Sequence, residues 1–195
     1  MYSHHTELKN KMLEMRRKVK EDFHRDRELG EQAERLLMDK LSEGTNTCFV
    51  RKMDHTLYPY DIRFQSIQKG HLITACIEVK RLAGCSPKGF VYDTGFVEVW
   101  LDDNKTRRPQ WHNKQVTHLF MWNNHKQLWY VYEAQPVIKF LQNWEGETKP
   151  PNNDTACKQG SGILFYWEPQ KKSRFASLPG YVGTYTNEEI KEIKL

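Results

Sequence analysis

The sequence predicts an α/β domain built on a mixed sheet flanked by helices. Three observations carry that prediction. The chain has 195 residues, enough for one domain with its own apolar core. Its hydrophobic spacing changes after Gly44 from a helical period to the two-residue alternation of strands. Beyond that point strand-like and helix-like segments alternate, as they do where helices cover a sheet. Hydrophobic residues make up 38% of the chain and aromatic ones 12%, which excludes a disordered chain.

The elements follow in order. Residues 6–27 are rich in Lys, Glu, Arg and Met and suit a helix with a thin apolar stripe of Leu8, Met12, Met15, Val19 and Phe23. Gly30 interrupts that pattern. Residues 31–43 form a stronger amphipathic helix, with Ala33, Leu36, Leu37 and Leu41 on one face and Gly44 ending it. Residues 46–52 read as a short strand. Residues 57–67 and 71–82 read as two more, joined by a hairpin turn at Lys69-Gly70. Gly84, Pro87 and Gly89 mark 83–94 as a loop. A strand over 95–101 leads into a polar, basic loop from Asp102 to Pro109. Residues 111–122 are expected to be helical, anchored by Val116, Leu119, Phe120 and Met121. A strand over 127–134 is followed by a short helix to residue 143. Pro150-Pro151 and Asn152-Asn153 place a loop over 145–160. Residues 162–167 supply an added strand. Residues 186–194 supply a short helix capped by Thr186, with Glu188 and Glu189 in its first turn.

The formal net charge is +5, from 30 basic and 25 acidic residues. Lys and Arg gather at 16–20, 105–108 and 171–174, either as solvated surface or as contacts to an anionic partner. Cys48, Cys76, Cys85 and Cys157 lack the short spacing of a zinc site and read as free thiols in a reducing compartment. Cys76 lies in an apolar run and is expected in the core. No apolar run is long enough to span a membrane as a helix, and the charged N-terminus lacks the apolar stretch of a secretory signal. A cytoplasmic protein with no membrane partner is therefore expected. His4-His5 has no third ligand in view, and H-E-x-x-H, the P-loop, G-x-G-x-x-G and G-x-S-x-G do not occur.

The informative constellation is Glu78-Val79-Lys80, at the end of the apolar run from Leu72. Residues two apart on a strand share a face, so Glu78 and Lys80 project together while Ile77 and Val79 face the opposite layer. Charges at the end of such a strand cost desolvation unless partnered, and Asp61 on the preceding strand is a natural partner. Two carboxylates and one lysine suit a divalent metal with hard oxygen ligands. Such an ion lowers the pKa of bound water and holds a phosphate, while Lys80 orients the water or neutralises developing charge. The alternative is a cross-strand salt bridge on an exposed sheet face.

In these residues the sequence resembles the PD-(D/E)xK nuclease superfamily, which includes restriction endonucleases and archaeal Holliday-junction resolvases. In that family the acidic residue begins the second strand and E-x-K lies on the third. Tyr60-Asp61 stands at the Pro-Asp position, with Pro59 one place early. Gly30-Glu31-Gln32-Ala33-Glu34 resembles the G-x-x-x-E of the first helix in resolvase-like members. Phage-type members follow E-x-K with T-G-N-[apolar]-x-[apolar]-E, a basic loop, a helix with Trp and Lys, and an aromatic strand. This chain has Thr94-Gly95-Phe96-Val97-Glu98-Val99-Trp100, with Phe96 at the Asn position. Lys105, Arg107, Arg108, Trp111, Lys114, Gln115 and the strand Leu128–Tyr132 follow.

The resemblance spans residues 30–143. It implies a restriction-endonuclease-like core of order α-β-β-β-α-β over 29–144, an N-terminal helical extension over 1–28 and a C-terminal extension over 145–195. It implies a Mg²⁺- or Mn²⁺-dependent DNA endonuclease. Asp61, Glu78 and the Val79 backbone carbonyl would hold the metal, Glu34 would assist, and Lys80 would serve the nucleophile. Glu34 reads equally as a solvent-facing helix residue. Glu98 either joins the acidic cluster from outside or pairs with Lys80 or Arg81. Lys105, Arg107 and Arg108 would contact DNA phosphates. Lys114 and Gln115 would reach a phosphate from a helix start, or remain ordinary surface. A homodimer and a phage origin, acting in the host cytoplasm, follow only by analogy. The rival reading is a non-catalytic nucleic-acid-binding or structural protein that retains the fold.

Overall fold

The computed structural model describes residues 14, 17, 24, 27–82, 94–102, 104–146, 148, 161–167 and 177–195. The loops read at 83–94 and 145–160, the basic clusters at 16–20 and 171–174, the stripe from Leu8 to Phe23, Cys85 and Cys157 fall wholly or mostly outside those residues.

A helix over 27–42, here α1, enters a mixed sheet. The strands are β1 (Thr47–Lys52), β2 (Ile62–Gln68), β3 (His71–Leu82), β4 (Thr94–Trp100), β5 (His118–Asn123), β6 (Leu128–Glu133), β7 (Ser161–Tyr166) and β8 (Tyr181–Tyr185). Helix α2 (Ala134–Gln142) follows β6, and a single turn, α3 (Asn187–Ile190), follows β8. Six strands pair in the order β1-β2-β3-β5-β6-β8, while β4 and β7 make a separate two-stranded sheet. All pairings are antiparallel except β3 with β5.

The large sheet divides the core in two. On one face Ala33, Leu37 and Leu41 of α1, together with Ile190, cover Phe64, Ile77, Val79, Phe120, Trp129 and Val131. On the other face Leu119, Met121, Tyr130 and Tyr132 meet Val137, Ile138 and Leu141 of α2, and Val97, Val99, Ile163 and Phe165 of the small sheet. The strand alternation decides which side chain goes to which core. Lys69 and Gly70, with φ of 52° and 79°, form the two-residue turn between β2 and β3. Thr186 opens α3 with a full capping box to Glu189.

Four elements differ from the sequence expectation. Helix α1 runs through Gly30 without a break. One glycine costs a helix about 1 kcal/mol, which the buried Ala33-Leu37-Leu41 stripe outweighs. Residues 111–122 are not a helix: a series of turns leads into β5. Leu119 through Asn123 are all buried, because β5 lies between β3 and β6 with a core on each face. A strand covered on both sides is a continuous apolar run, and such a run has no alternation to set it apart from a buried helix. The second predicted strand starts late, at Ile62, because Asp54 organises a turn that accepts the Leu57 and Tyr58 N–H groups. Strand β8 was not expected; it is a short edge strand of half-buried residues with Gly183 in its middle.

Among the described residues no helix is long and apolar enough to cross a membrane. Cys48 is an exposed free thiol, and Cys76 is a half-buried one packed against the α2-side core.

Candidate functional site

The site forms where β2 begins beside the middle of β3. The β2–β3 register pairs Ile62 with Ile77 and sets Asp61 across from Glu78, with the Asp61 N–H donating to the Ile77 carbonyl at 2.9 Å. Asp61 is 3% exposed. Its Oδ2 accepts the Val79 N–H at 2.6 Å, and its Oδ1 lies 3.1 Å from His55 Nδ1. Glu34 arrives from α1, where its place beside the apolar stripe turns it toward the sheet. Its Oε2 lies 2.7 Å from Lys52 Nζ and its Oε1 4.0 Å from His55 Nε2. One ligand-capable atom from each of Glu34, His55 and Asp61 lies within 4.8 Å of the others.

Glu78 and Lys80 leave β3 on the face away from α1. Lys80 Nζ sits 2.9 Å from Glu78 Oε1, 3.8 Å from Glu98 Oε2 on β4, and 5.8 Å from the centre of the Trp111 ring. These groups, with His55 and Gln110, line a cleft of about 140 Å³.

Burial raises the Asp61 carboxyl well above its ordinary value, and the Glu78 charge adds to that; the Val79 N–H and Lys80 oppose it. Burial disfavours the Lys80 ammonium, but the Glu78, Glu98 and Asp61 carboxylates outweigh burial and raise its pKa, so Lys80 stays charged. Burial and then the Arg108 charge push His112, edge-on to Trp111, down to about 4, so it is a neutral imidazole near pH 7.

The donor set fits a hard divalent cation. Two carboxylates, Glu34 and Asp61, and the His55 imidazole converge where burial works against the Asp61 charge, and the Glu78 carboxylate is near enough to raise Asp61 further. Mg²⁺ and Mn²⁺ favour such oxygen-rich sites.

Of the residues singled out from sequence, Glu34, Asp61, Glu78, Val79, Lys80 and Glu98 lie together. The others do not. Lys105 and Arg107 are exposed in a turn held by the Asp102 carboxylate, which accepts the Thr106 and Arg107 N–H groups at 2.8 and 3.0 Å. Arg108 turns inward: it donates to the Val99 and Leu141 carbonyls, both at 3.1 Å, and to Gln142 at 3.2 Å. Its guanidinium also lies 3.5 Å from the Trp100 ring centre, so it ties the end of α2 to β4. Lys114 and Gln115 are exposed in a turn where Asn113 Oδ1 accepts the Gln115 N–H at 2.9 Å. No helix begins there, so Lys114 and Gln115 do not sit at a helix N-terminus that could hold a phosphate.

Sequence reasoning missed His55, Lys52 and Gln110. His55 reaches the site from the β1–β2 turn, where Asp54 Oδ1 accepts the Thr56 N–H at 2.8 Å and Gln110 Nε2 donates to the His55 carbonyl at 2.9 Å. The Asp54-x-Thr56 pair was the local signal of that turn. No spacing rule connects His55 to Glu34, twenty-one residues earlier on another element.

No protein-family model matches the chain, and no curated protein matches it. A search of solved structures finds similarity to a bacterial homing endonuclease, I-Ssp6803I. The TM-score is 0.43 and the identity 18%, over 80% of this chain and 86% of that one. The endonuclease activity named there belongs to that protein.

Proposed function

We propose that the chain is a divalent-metal-dependent DNA endonuclease of the PD-(D/E)xK kind that its sequence resembles. The observation that carries the reading is the adjacency of two groups: Asp61, joined by Glu34 from α1 and by His55, lies across the β2–β3 register from Glu78, which opens with Lys80 and His55 into the cleft. Asp61 and Glu78 would hold Mg²⁺ or Mn²⁺, with the Val79 carbonyl and Glu34 completing the protein's share. When bound, the ion activates water and offsets charge at the scissile phosphate.

The chain's own groups have separable tasks. With Glu78, Glu98 and Asp61 carrying their own charge, Lys80 is held as an ammonium, placed to neutralise negative charge developing on the phosphate or to orient the attacking water. Glu98 positions Lys80 from the facing sheet. His55 orients the Asp61 carboxylate, and Lys52 compensates Glu34. Trp111 walls the cleft beside Lys80 and keeps water from that side of the ammonium.

The test is cleavage of supercoiled plasmid, linear duplex and circular single-stranded DNA with Mg²⁺ or Mn²⁺. The expected result is nicking or linearisation of the plasmid that disappears with EDTA, with Lys80→Ala and with Asp61→Asn. Absence of cleavage on every substrate, in protein whose folding has been verified, overturns the reading.

A further inference from the structure

Among the described residues, the sheet face that carries Glu78 and Lys80 is covered by α2 and the small sheet on its β5–β6 side. Over β1, β2 and the first half of β3 no other described element covers it, and Arg51, Arg63, Ile67, Leu72 and Thr74 are exposed there. The registers Arg51↔Arg63, Phe49↔Gln65, Gln65↔Thr74 and Ile67↔Leu72 put these side chains on that one face. Val50, Phe64, Ala75 and Ile77 take the opposite face, against α1. Two features of the open face need a partner. Arg51 and Arg63 stand directly opposite each other, both exposed, a like-charge arrangement that destabilises a strand pair. No described carboxylate pairs with either guanidinium, and β1, β2 and β3 as far as Ile77 contain no Asp or Glu. Beyond the arginines lies an exposed apolar pair, Ile67 at 49% and Leu72 at 60%, next to a hydrogen-bonded Gln65 and Thr74.

Resting on the nuclease reading, we propose that this open face of β1–β3 is where duplex DNA docks, with the β2–β3 hairpin leading into a groove. Positive charge without local acid fits a phosphate backbone, and the arginine pair is relieved when an anion lies between them. Arg63 is two residues from Asp61, about 7 Å along a strand, so a phosphate held by the arginines lies one step from the carboxylates. A two-stranded ribbon fits the major groove, about 12 Å wide. Gln65 and Thr74 present amide and hydroxyl groups to base edges, while Ile67 and Leu72 suit the thymine methyl. The duplex contacts therefore differ from the 105–108 cluster that sequence alone suggested.

The test is fluorescence anisotropy with a labelled duplex in EDTA, where cleavage does not intervene. Three proteins are compared: the unaltered chain, Arg63→Glu, and Arg51→Glu/Arg63→Glu. The single reversal creates an opposite-charge pair with Arg51, so thermal unfolding should show it at least as stable as the parent while it binds more weakly. The double reversal should weaken binding by about tenfold or more and lower the salt slope by about 2. Three results overturn the proposal: no duplex binding by the parent, unchanged affinity and slope in the double variant, or a dimer that Ile67→Ser/Leu72→Ser dissociates without changing DNA affinity. The nuclease reading fails separately. Arginine-dependent binding without metal-dependent cleavage keeps this face and sinks the enzyme; cleavage indifferent to Arg51 and Arg63 does the reverse.

Discussion

Replacing Lys80 by Met keeps the length of the side chain and removes the cation that faces Glu78. The two charges lie 2.9 Å apart, which at an effective dielectric near 20 corresponds to about 6 kcal/mol of attraction. Desolvation of both groups offsets much of that. What the substitution exposes is the cost of a stranded carboxylate, about 3–5 kcal/mol when fully buried. The Lys80 side chain is 30% exposed and Glu78 10%, so water recovers part of the loss, and a net destabilisation of about 2 kcal/mol is expected. Urea unfolding in EDTA near pH 7 measures it. The companion variant Glu78→Gln/Lys80→Met removes the stranded charge and should recover most of the stability, giving a coupling of about 2 kcal/mol in the double-mutant cycle. A loss under about 0.5 kcal/mol in the single variant, or strict additivity in the cycle, refutes the reasoning that Glu78 depends on Lys80.

Three further outcomes follow from the same site and its supports. The Asp61 carboxyl is raised above its usual 3.8 by burial and by Glu78, so the stability it contributes is full below that usual value and is lost as pH rises through the raised one. In EDTA the stability advantage of Asp61→Asn over the parent should therefore grow with pH, read by denaturant titrations from about pH 4 to 8; a flat difference contradicts it. Mg²⁺ or Mn²⁺ at ten times its dissociation constant should stabilise the parent by about 1.4 kcal/mol in thermal unfolding, and leave Asp61→Asn unmoved. Gly95 has no room for a methyl group, since a Cβ there would lie 2.6 Å from the Phe165 ring; Gly95→Ala should cost about 1–3 kcal/mol, and a neutral result would mean the small sheet shifts freely.

Much of the site's geometry follows from local rules. The alternation on β3 puts Glu78 and Lys80 on one face and Ile77 and Val79 on the other, and the Lys69-Gly70 turn sets the register that brings Asp61 opposite Glu78. Both rules act over a few residues, so both can be read from the chain. His55 and Lys52 are different. They belong to the site only because β1 lies at the sheet edge beside α1, next to Glu34. Arg108 carries the same lesson in reverse: within a basic cluster it has the composition of a phosphate contact, and it spends its donors on the end of α2.

The amino-acid order alone determined the α/β class, the amphipathic helix over 31–43, the β2–β3 hairpin, the helix after β6 and the capped turn at Thr186, because periodicity, turn chemistry and caps are short-range. Only the tertiary structure decided that 118–123 is a strand and not a helix. An apolar run takes its conformation from what covers it, and here β3, β6 and two cores do so. It also decided which charges meet which, because burial and Coulomb attraction act through space between elements the chain order keeps apart.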